Sequence, residues 1–257
     1  MSKTNSFLIN NSSLEEMLNW AKKRIISGPD PISGAKKKEL LDKELGNTIS
    51  KKGIGWKKTF DLFINTIVPS TRPFDHPTSL AFVAAAPTPA ASSIDAVLGA
   101  AEIFAGNWDG GSGAIYAENE ALKWLAKLAK WPTKTSGGVF VSGGTLGNLS
   151  AIHAARTNYQ LISKAKSKKL SILCSSEAHS SLYAIAKVMD FKIHEVKSNL
   201  NGQIDIKEAK KIINKNKNIF CIVANAGATN SGAIDNINVL ASLAKSKKIW
   251  LHVGTCT

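Results

Sequence analysis

The 257-residue chain carries only three cysteines, Cys174, Cys221 and Cys256, far apart and mostly in apolar, strand-like surroundings. An odd, scattered set supplies neither a disulfide framework nor the paired spacing of a zinc site, so they read as small hydrophobes and no metal is expected. Arginine is nearly missing: Arg24, Arg72 and Arg156 are the only three among 33 basic residues. That scarcity matters in a chain of formal charge +14, because base reading and bidentate phosphate contacts favour the guanidinium group. The lysines are spread along the chain, so they read as solvated faces and no specific nucleic-acid partner is expected. No run approaches the roughly 18 apolar residues that a membrane span requires, so no membrane partner is expected either. The opening MSKTNSFLINNSS has no basic region, apolar core and small-residue cleavage site in succession. No secretory signal is read, and a cytoplasmic setting is expected.

What the chain does have is an ordinary globular composition, 44% hydrophobic and 20% charged, in a length that can bury a full core. Its most informative stretch is residues 137–156, GGVFVSGGTLGNLSAIHAAR. Val139–Val141 predicts a short strand. Ser142, Gly143, Gly144 and Thr145 predict a small-residue turn opening a helix that carries Leu149, Ile152 and His153. Unpaired N–H groups and the dipole at such a helix start favour an anion, which makes this a phosphate cradle. The glycines do not fall at G-x-G-x-x-G spacing, and no Gly-Lys-Ser/Thr follows, so neither nucleotide fingerprint is met. Taken alone, the glycines could equally serve a tight strand-to-helix turn.

Upstream, Ser13–Glu16 fits a capping box for a first helix ending near Gly28-Pro29. Residues 30–58 are lysine-rich and weakly patterned, a surface helix or an arm. Residues 59–68 predict a short helix stopped by Pro69. Residues 72–91 are rich in proline and alanine and read as a segment lining a site or a subunit contact, or as an ordinary packed loop. Residues 93–104 predict a helix, 107–114 a loop and 118–131 an amphipathic helix with Leu122, Leu125 and Leu128 on one side.

From residue 137 the pattern is regular. Strands are predicted at 170–174, 192–196, 219–224 and 249–253, with helices at 180–189, 206–216 and 239–245 between them. This alternation implies right-handed β-α-β units and a parallel sheet with helices on both faces. Ligands in such sheets bind beyond the carboxyl ends of the strands. The turns there deliver Ser142–Thr145, then residues 175–181 with His179, then residues 225–230 with Thr229, and finally His252.

These residues resemble the group II pyridoxal-phosphate-dependent amino acid decarboxylases, which include the glutamate and aromatic amino acid enzymes. Six segments carry the resemblance, in the family's order and spacing: HPTSLAFVAAAPTPAA, GAIYAENEALKWLAKLA, GGVFVSGGTLGNLSAIHAAR, SSEAHSSLYAIAKVMDF, ANAGATNSGAIDN and IWLHV. It implies an α/β fold, a fold type I PLP-dependent transferase-like large domain, here incomplete and preceded by a helical N-terminal segment. The division expected is 1–92, helical segment and dimer or substrate arm, and 93–257, partial cofactor-binding domain. It further implies pyridoxal 5'-phosphate as cofactor, a small amino acid as substrate and a homodimer in the full-length form. By position, Gly144 and Thr145 would hold the phosphate and His179 would stack on the ring and act near the substrate. Thr229 would lie near ring and substrate carboxylate, and His252 would face the ring. Plainer readings stay open: a satisfied helix-start histidine for His179, a turn hydroxyl for Thr229 and a structural histidine for His252. Asp235 matches a family acid or is a helix N-cap.

The resemblance also shows a departure. Where the family continues His-Val-Asp, this chain reads His252-Val253-Gly254, and the family's imine-forming lysine falls beyond Thr257. The chain is therefore expected to be a C-terminally truncated or frame-shifted product, inactive as it stands and poorly soluble. A non-catalytic interaction protein that keeps the cofactor fold is the alternative. A nucleotide-binding Rossmann protein fits the alternation but lacks both fingerprints. The apolar tone of residues 80–86 leans away from an acidic substrate.

Overall fold

Two compact units make up the computed structural model, Met1–Ser112 and Gly113–Thr257, and it describes residues 9–29, 35–49, 51–80, 85–163 and 169–255. Cys256 and residues 81–84 of the substrate-leaning segment lie outside the described residues.

The first unit is helical. Helix α1 spans Asn11–Ser27 and is capped by Asn10, whose side chain accepts the Ser13 N–H at 2.9 Å. The expected cap at Ser13 is thus displaced by three residues, because an asparagine serves as well as a serine and starts the helix earlier. Gly28, at φ 77°, ends it. Arg24 on this helix holds Asp75 through two hydrogen bonds of 2.8 and 2.9 Å. Helix α2 is Lys38–Leu45, and α3, Trp56–Leu62, runs into a wider π turn over Phe63–Ile67. Helix α4, Pro89–Ala101, begins before the expected residue 93. Thr88 caps it by accepting the Ala91 N–H, and Pro89 takes the first-turn position where its missing N–H costs nothing.

Helix α5, Trp108–Leu128, corrects the expected loop at 107–114. The Asn107 side chain takes the Gly110 N–H at 2.9 Å, which starts a helical turn. Gly111 then bends the helix where a Cβ would stand 2.2 Å from the Phe104 carbonyl oxygen. Only glycine allows that approach.

The second unit contains the sheet. Helix α6 (Gly144–Ser163) precedes β1 (Ser171–Ser175), α7 (Ser181–Met189), β2 (Lys192–Val196), α8 (Ile206–Lys215), β3 (Ile219–Asn225), α9 (Ile237–Lys247) and β4 (Trp250–Gly254). All pairings are parallel and the strand order is β2-β1-β3-β4. Both central strands are buried along their whole length, which is why they read as unbroken apolar runs. Alternation sends Ile172, Cys174, Cys221 and Val223 toward Ile152, Leu182 and Ile185 of α6 and α7. Leu173, Ile222 and Ala224 face Ala209, Ile213 and Leu240 of α8 and α9. Burying one such branched side chain stabilises the fold by about 1.5–3 kcal/mol.

The strand expected at Val139–Val141 is not one. These residues run as unpaired chain with Val139 and Phe140 exposed, and the Phe140 N–H goes to Glu118 Oε1 at 3.2 Å. β-Branched residues favour a strand only when a neighbouring strand supplies the ladder, and no described strand lies alongside them. Also among the described residues, no helix is long and apolar enough to cross a membrane.

Candidate active site

The chain leaves β1 toward β2 on one side of the sheet and leaves β3 toward β4 on the other. Between the carboxyl ends of β1 and β3 the connections diverge and a crevice opens. It is a hollow of about 210 Å³, walled by the start of α6 and by the tips of β1, β3 and β4.

The start of α6 contributes Gly144, Thr145 and Asn148. The Gly143 carbonyl accepts the N–H groups of Leu146 and Gly147 at 3.0 and 3.1 Å, so Gly144 and Thr145 keep N–H groups with no hydrogen-bond partner among the described residues. A Cβ at Gly143 or Gly144 would meet nothing within 4 Å. Close protein packing therefore does not account for these two glycines, and the space before the helix start stays open to an anion.

The turn after β1 contributes His179 and α7 contributes Leu182. His179 Nδ1 lies 2.8 Å from Ser181 Oγ and accepts the Ser181 backbone N–H at 3.1 Å. The turn after β3 contributes Asn225, Gly227 and Thr229, with Gly227 at φ 108°, a conformation that side chains oppose. Gly254 and Thr255 close the hollow from β4.

Two buried groups fix the β3 tip. Asp235 takes the Asn225 N–H on one carboxylate oxygen and the Ile204 N–H on the other, both at 2.7 Å. It is not the N-cap of α9; Asn236 is, accepting the Val239 N–H at 3.2 Å. Asn225, only 7% exposed, leaves its side-chain Nδ2 without a partner among the described residues. An unpaired buried donor costs about 1–3 kcal/mol, which an acceptor atom arriving in the hollow would relieve.

Of the residues singled out from sequence, Gly144, Thr145, His179 and Thr229 line this one hollow. His252 on β4 stands one step back, its Nε2 2.9 Å from Asn148 Oδ1, and burial lowers its pKa below the usual imidazole range. Asn148, Ser181 and Asn225 were not singled out. Asn148 had a readable signal, because it follows Gly144 by four residues and shares its helix face. Behind the hollow, burial pushes the Cys174 thiol up to about 12 and that of Cys221 higher still.

The donors suit a phosphorylated aromatic ring: free N–H groups and a threonine hydroxyl at one end, an imidazole and a buried amide at the other. Among the described residues lining the hollow, none is a lysine or a carboxylate.

Residues 41–256 match the family model described as the pyridoxal-dependent decarboxylase conserved domain. The chain is 30% identical over 229 residues to an aromatic-L-amino-acid decarboxylase of Bacillus atrophaeus, covering 86% of this chain and 47% of the relative. It is 26% identical to an L-2,4-diaminobutyrate decarboxylase of Rhizobium meliloti, covering 69% and 37%. The glutamate decarboxylase domain of a diaminobutyrate-pyruvate transaminase and L-2,4-diaminobutyrate decarboxylase from Vibrio parahaemolyticus superposes with a TM-score of 0.83 at 25% identity, covering 98% of this chain and 58% of that one. The Oryza sativa TDC structure with PLP and tryptamine shares the fold at a TM-score of 0.81 and 20% identity, covering 95% and 57%. The chain spans about half the length of the curated relatives it matches.

Proposed function

The chain belongs to the pyridoxal-dependent decarboxylase family, and on that premise we propose that the start of α6 and the strand tips together hold pyridoxal 5'-phosphate for the decarboxylation of a small amino acid. One observation carries the reading: Thr145 from the start of α6 and His179 and Thr229 from two separate turns meet in a single hollow. Gly144 and Thr145 bind the phosphate with their N–H groups and the Thr145 hydroxyl. His179 would contact the ring. Thr229 orients the substrate carboxylate, and Asn225 Nδ2 donates to an acceptor on the ligand. His252 supports this wall through Asn148. The bound cofactor supplies an electron sink for the pair that a departing carboxyl group leaves on Cα. We further propose a cytoplasmic setting and a homodimer, the latter supported by the exposed apolar side chains Trp124, Leu128 and Trp131.

Gly254 closes the hollow where the family resemblance calls for a carboxylate, and no lysine lines it among the described residues. We therefore propose that the 257-residue chain by itself holds the cofactor without a covalent bond and does not turn over. That lining is also what favours the second reading, a non-catalytic cofactor-fold protein.

Titrating pyridoxal 5'-phosphate into the chain, followed by borohydride reduction and mass spectrometry, tests both statements. Saturable binding that weakens on Thr145→Val, with no single lysine labelled, is expected. Absence of saturable binding overturns the cofactor reading, and one uniquely labelled lysine overturns the non-covalent one.

A further inference from the structure

We infer that a hydrogen-bond chain from His252 through Asn148 and Ser181 fixes His179 as its Nε2–H tautomer, so that a neutral imidazole presents one N–H donor to the hollow. The direction of every link follows from one donor of known polarity. The Ser181 backbone N–H can only donate, and it lies 3.1 Å from His179 Nδ1. That nitrogen therefore carries a lone pair. Ser181 Oγ, 2.8 Å from the same atom, must donate as well. With its proton committed there, Ser181 Oγ accepts from Asn148 Nδ2 at 3.1 Å. The amide is thereby oriented, turning Oδ1 toward His252 Nε2 at 2.9 Å, and only an Nε2–H can complete that contact. Burial lowers the pKa of His252 and favours the neutral ring that this link assumes.

The four side chains come from β4, α6, the N-terminus of α7 and the turn before it. Ser181 is buried and Asn148 half-buried while His179 itself is exposed, so water competes least at the Asn148 and Ser181 end of the chain. The chain is not a proton relay, because an amide passes no proton without rearranging to its imidic form. Asn148 and Ser181 are positioning residues. They hold Nδ1, and Nε2–H remains the polar edge of His179 with no partner among the described residues. The inference rests on the cofactor reading only for what this N–H faces, an acceptor atom of the ligand in the hollow.

The test uses the ligand-free 257-residue chain labelled with ¹⁵N-histidine at pH 8. Long-range ¹⁵N–¹H correlations distinguish a protonated from a bare ring nitrogen, and His179→Gln identifies the resonances among the five histidines. The Nε2–H form is expected in the wild type. Ser181→Ala and Asn148→Asp keep the residue-181 backbone N–H that favours a bare Nδ1, so Nε2–H should remain the major form while a minor Nδ1–H fraction is admitted, and Ser181→Thr, which keeps the hydroxyl, should retain the wild-type pattern. An Nδ1–H signal in the wild type overturns the inference, as does an unchanged tautomer in both Ser181→Ala and Asn148→Asp. The wild-type measurement stands even if a variant fails to fold. Because no cofactor is added, failure to bind pyridoxal 5'-phosphate counts against the proposed function and leaves this result intact.

Discussion

Asp235 reaches back to the strand it follows and takes the Asn225 N–H at 2.7 Å on one oxygen, while the Asn225 carbonyl accepts the Asp235 N–H at 2.8 Å. Its second oxygen takes the Ile204 N–H at 2.7 Å, so one carboxylate ties the β3 tip to the loop before α8. Asp235→Ala leaves two buried donors unpaired and is expected to destabilise the chain by about 2–5 kcal/mol. Asp235→Asn keeps the volume but turns an N–H₂ group against one of those donors, so it does not restore wild-type stability. Denaturant unfolding of both variants checks this.

Thr145 tests the cradle with little structural risk. The residue is exposed at the helix start, so Thr145→Val should move the unfolding midpoint very little. Loss of one hydroxyl donor to a phosphate is expected to weaken pyridoxal 5'-phosphate binding about fivefold to tenfold. A fluorescence or absorbance titration measures it. An unchanged affinity would place the phosphate elsewhere.

Stability should fall in two separate acid windows. The folded-state pKa of His252 is lowered by burial, so the unfolded chain binds the proton more readily. Its contribution is complete above the ordinary imidazole pKa and is lost as pH falls below it; His252→Gln should reduce that loss and leave the part due to His194, which burial lowers as well. The Arg24 guanidinium beside Asp75 holds that carboxyl below the usual range. Its contribution is present above the ordinary carboxylate pKa and lost below it, and Asp75→Asn abolishes that lower window. The pair is partly exposed, so the loss at neutral pH should be about 1 kcal/mol. Urea melts from pH 8 to pH 3 resolve both.

The two described cysteines should be chemically silent in the native state. Cys174 and Cys221 are buried between the sheet and its helices, and burial keeps both thiols protonated at neutral pH. Iodoacetamide at pH 8 is expected to leave both unmodified until denaturant is added, as peptide mass mapping would show. Rapid native labelling of either would mean that the sheet opens.

The β-α-β half was legible because a strand covered on both faces has to be apolar throughout. Ser171–Ser175 and Ile219–Asn225 therefore stand out between amphipathic helices whatever surrounds them. The residues at the strand tips were legible for a related reason: glycines and hydroxyls gather where a strand must turn into a helix. Val139–Val141 misled, because its β-branched residues satisfy strand propensity while the ladder needs a second strand that local sequence does not specify. The kink at Gly111 was equally hidden, since it depends on where Phe104 places its carbonyl.

Within the β-α-β half, then, local order was written in the chain itself: which segments are strands, and which side chains stand at their ends. Only the packed sheet decided that Asn148 meets His252 across 104 residues, that Asp235 braces a strand tip and is not a helix cap, and that Asn225 keeps a buried amide unpaired. Those outcomes depend on directional hydrogen bonds between groups distant in sequence. Such bonds are set by strand order and register, which no local periodicity encodes.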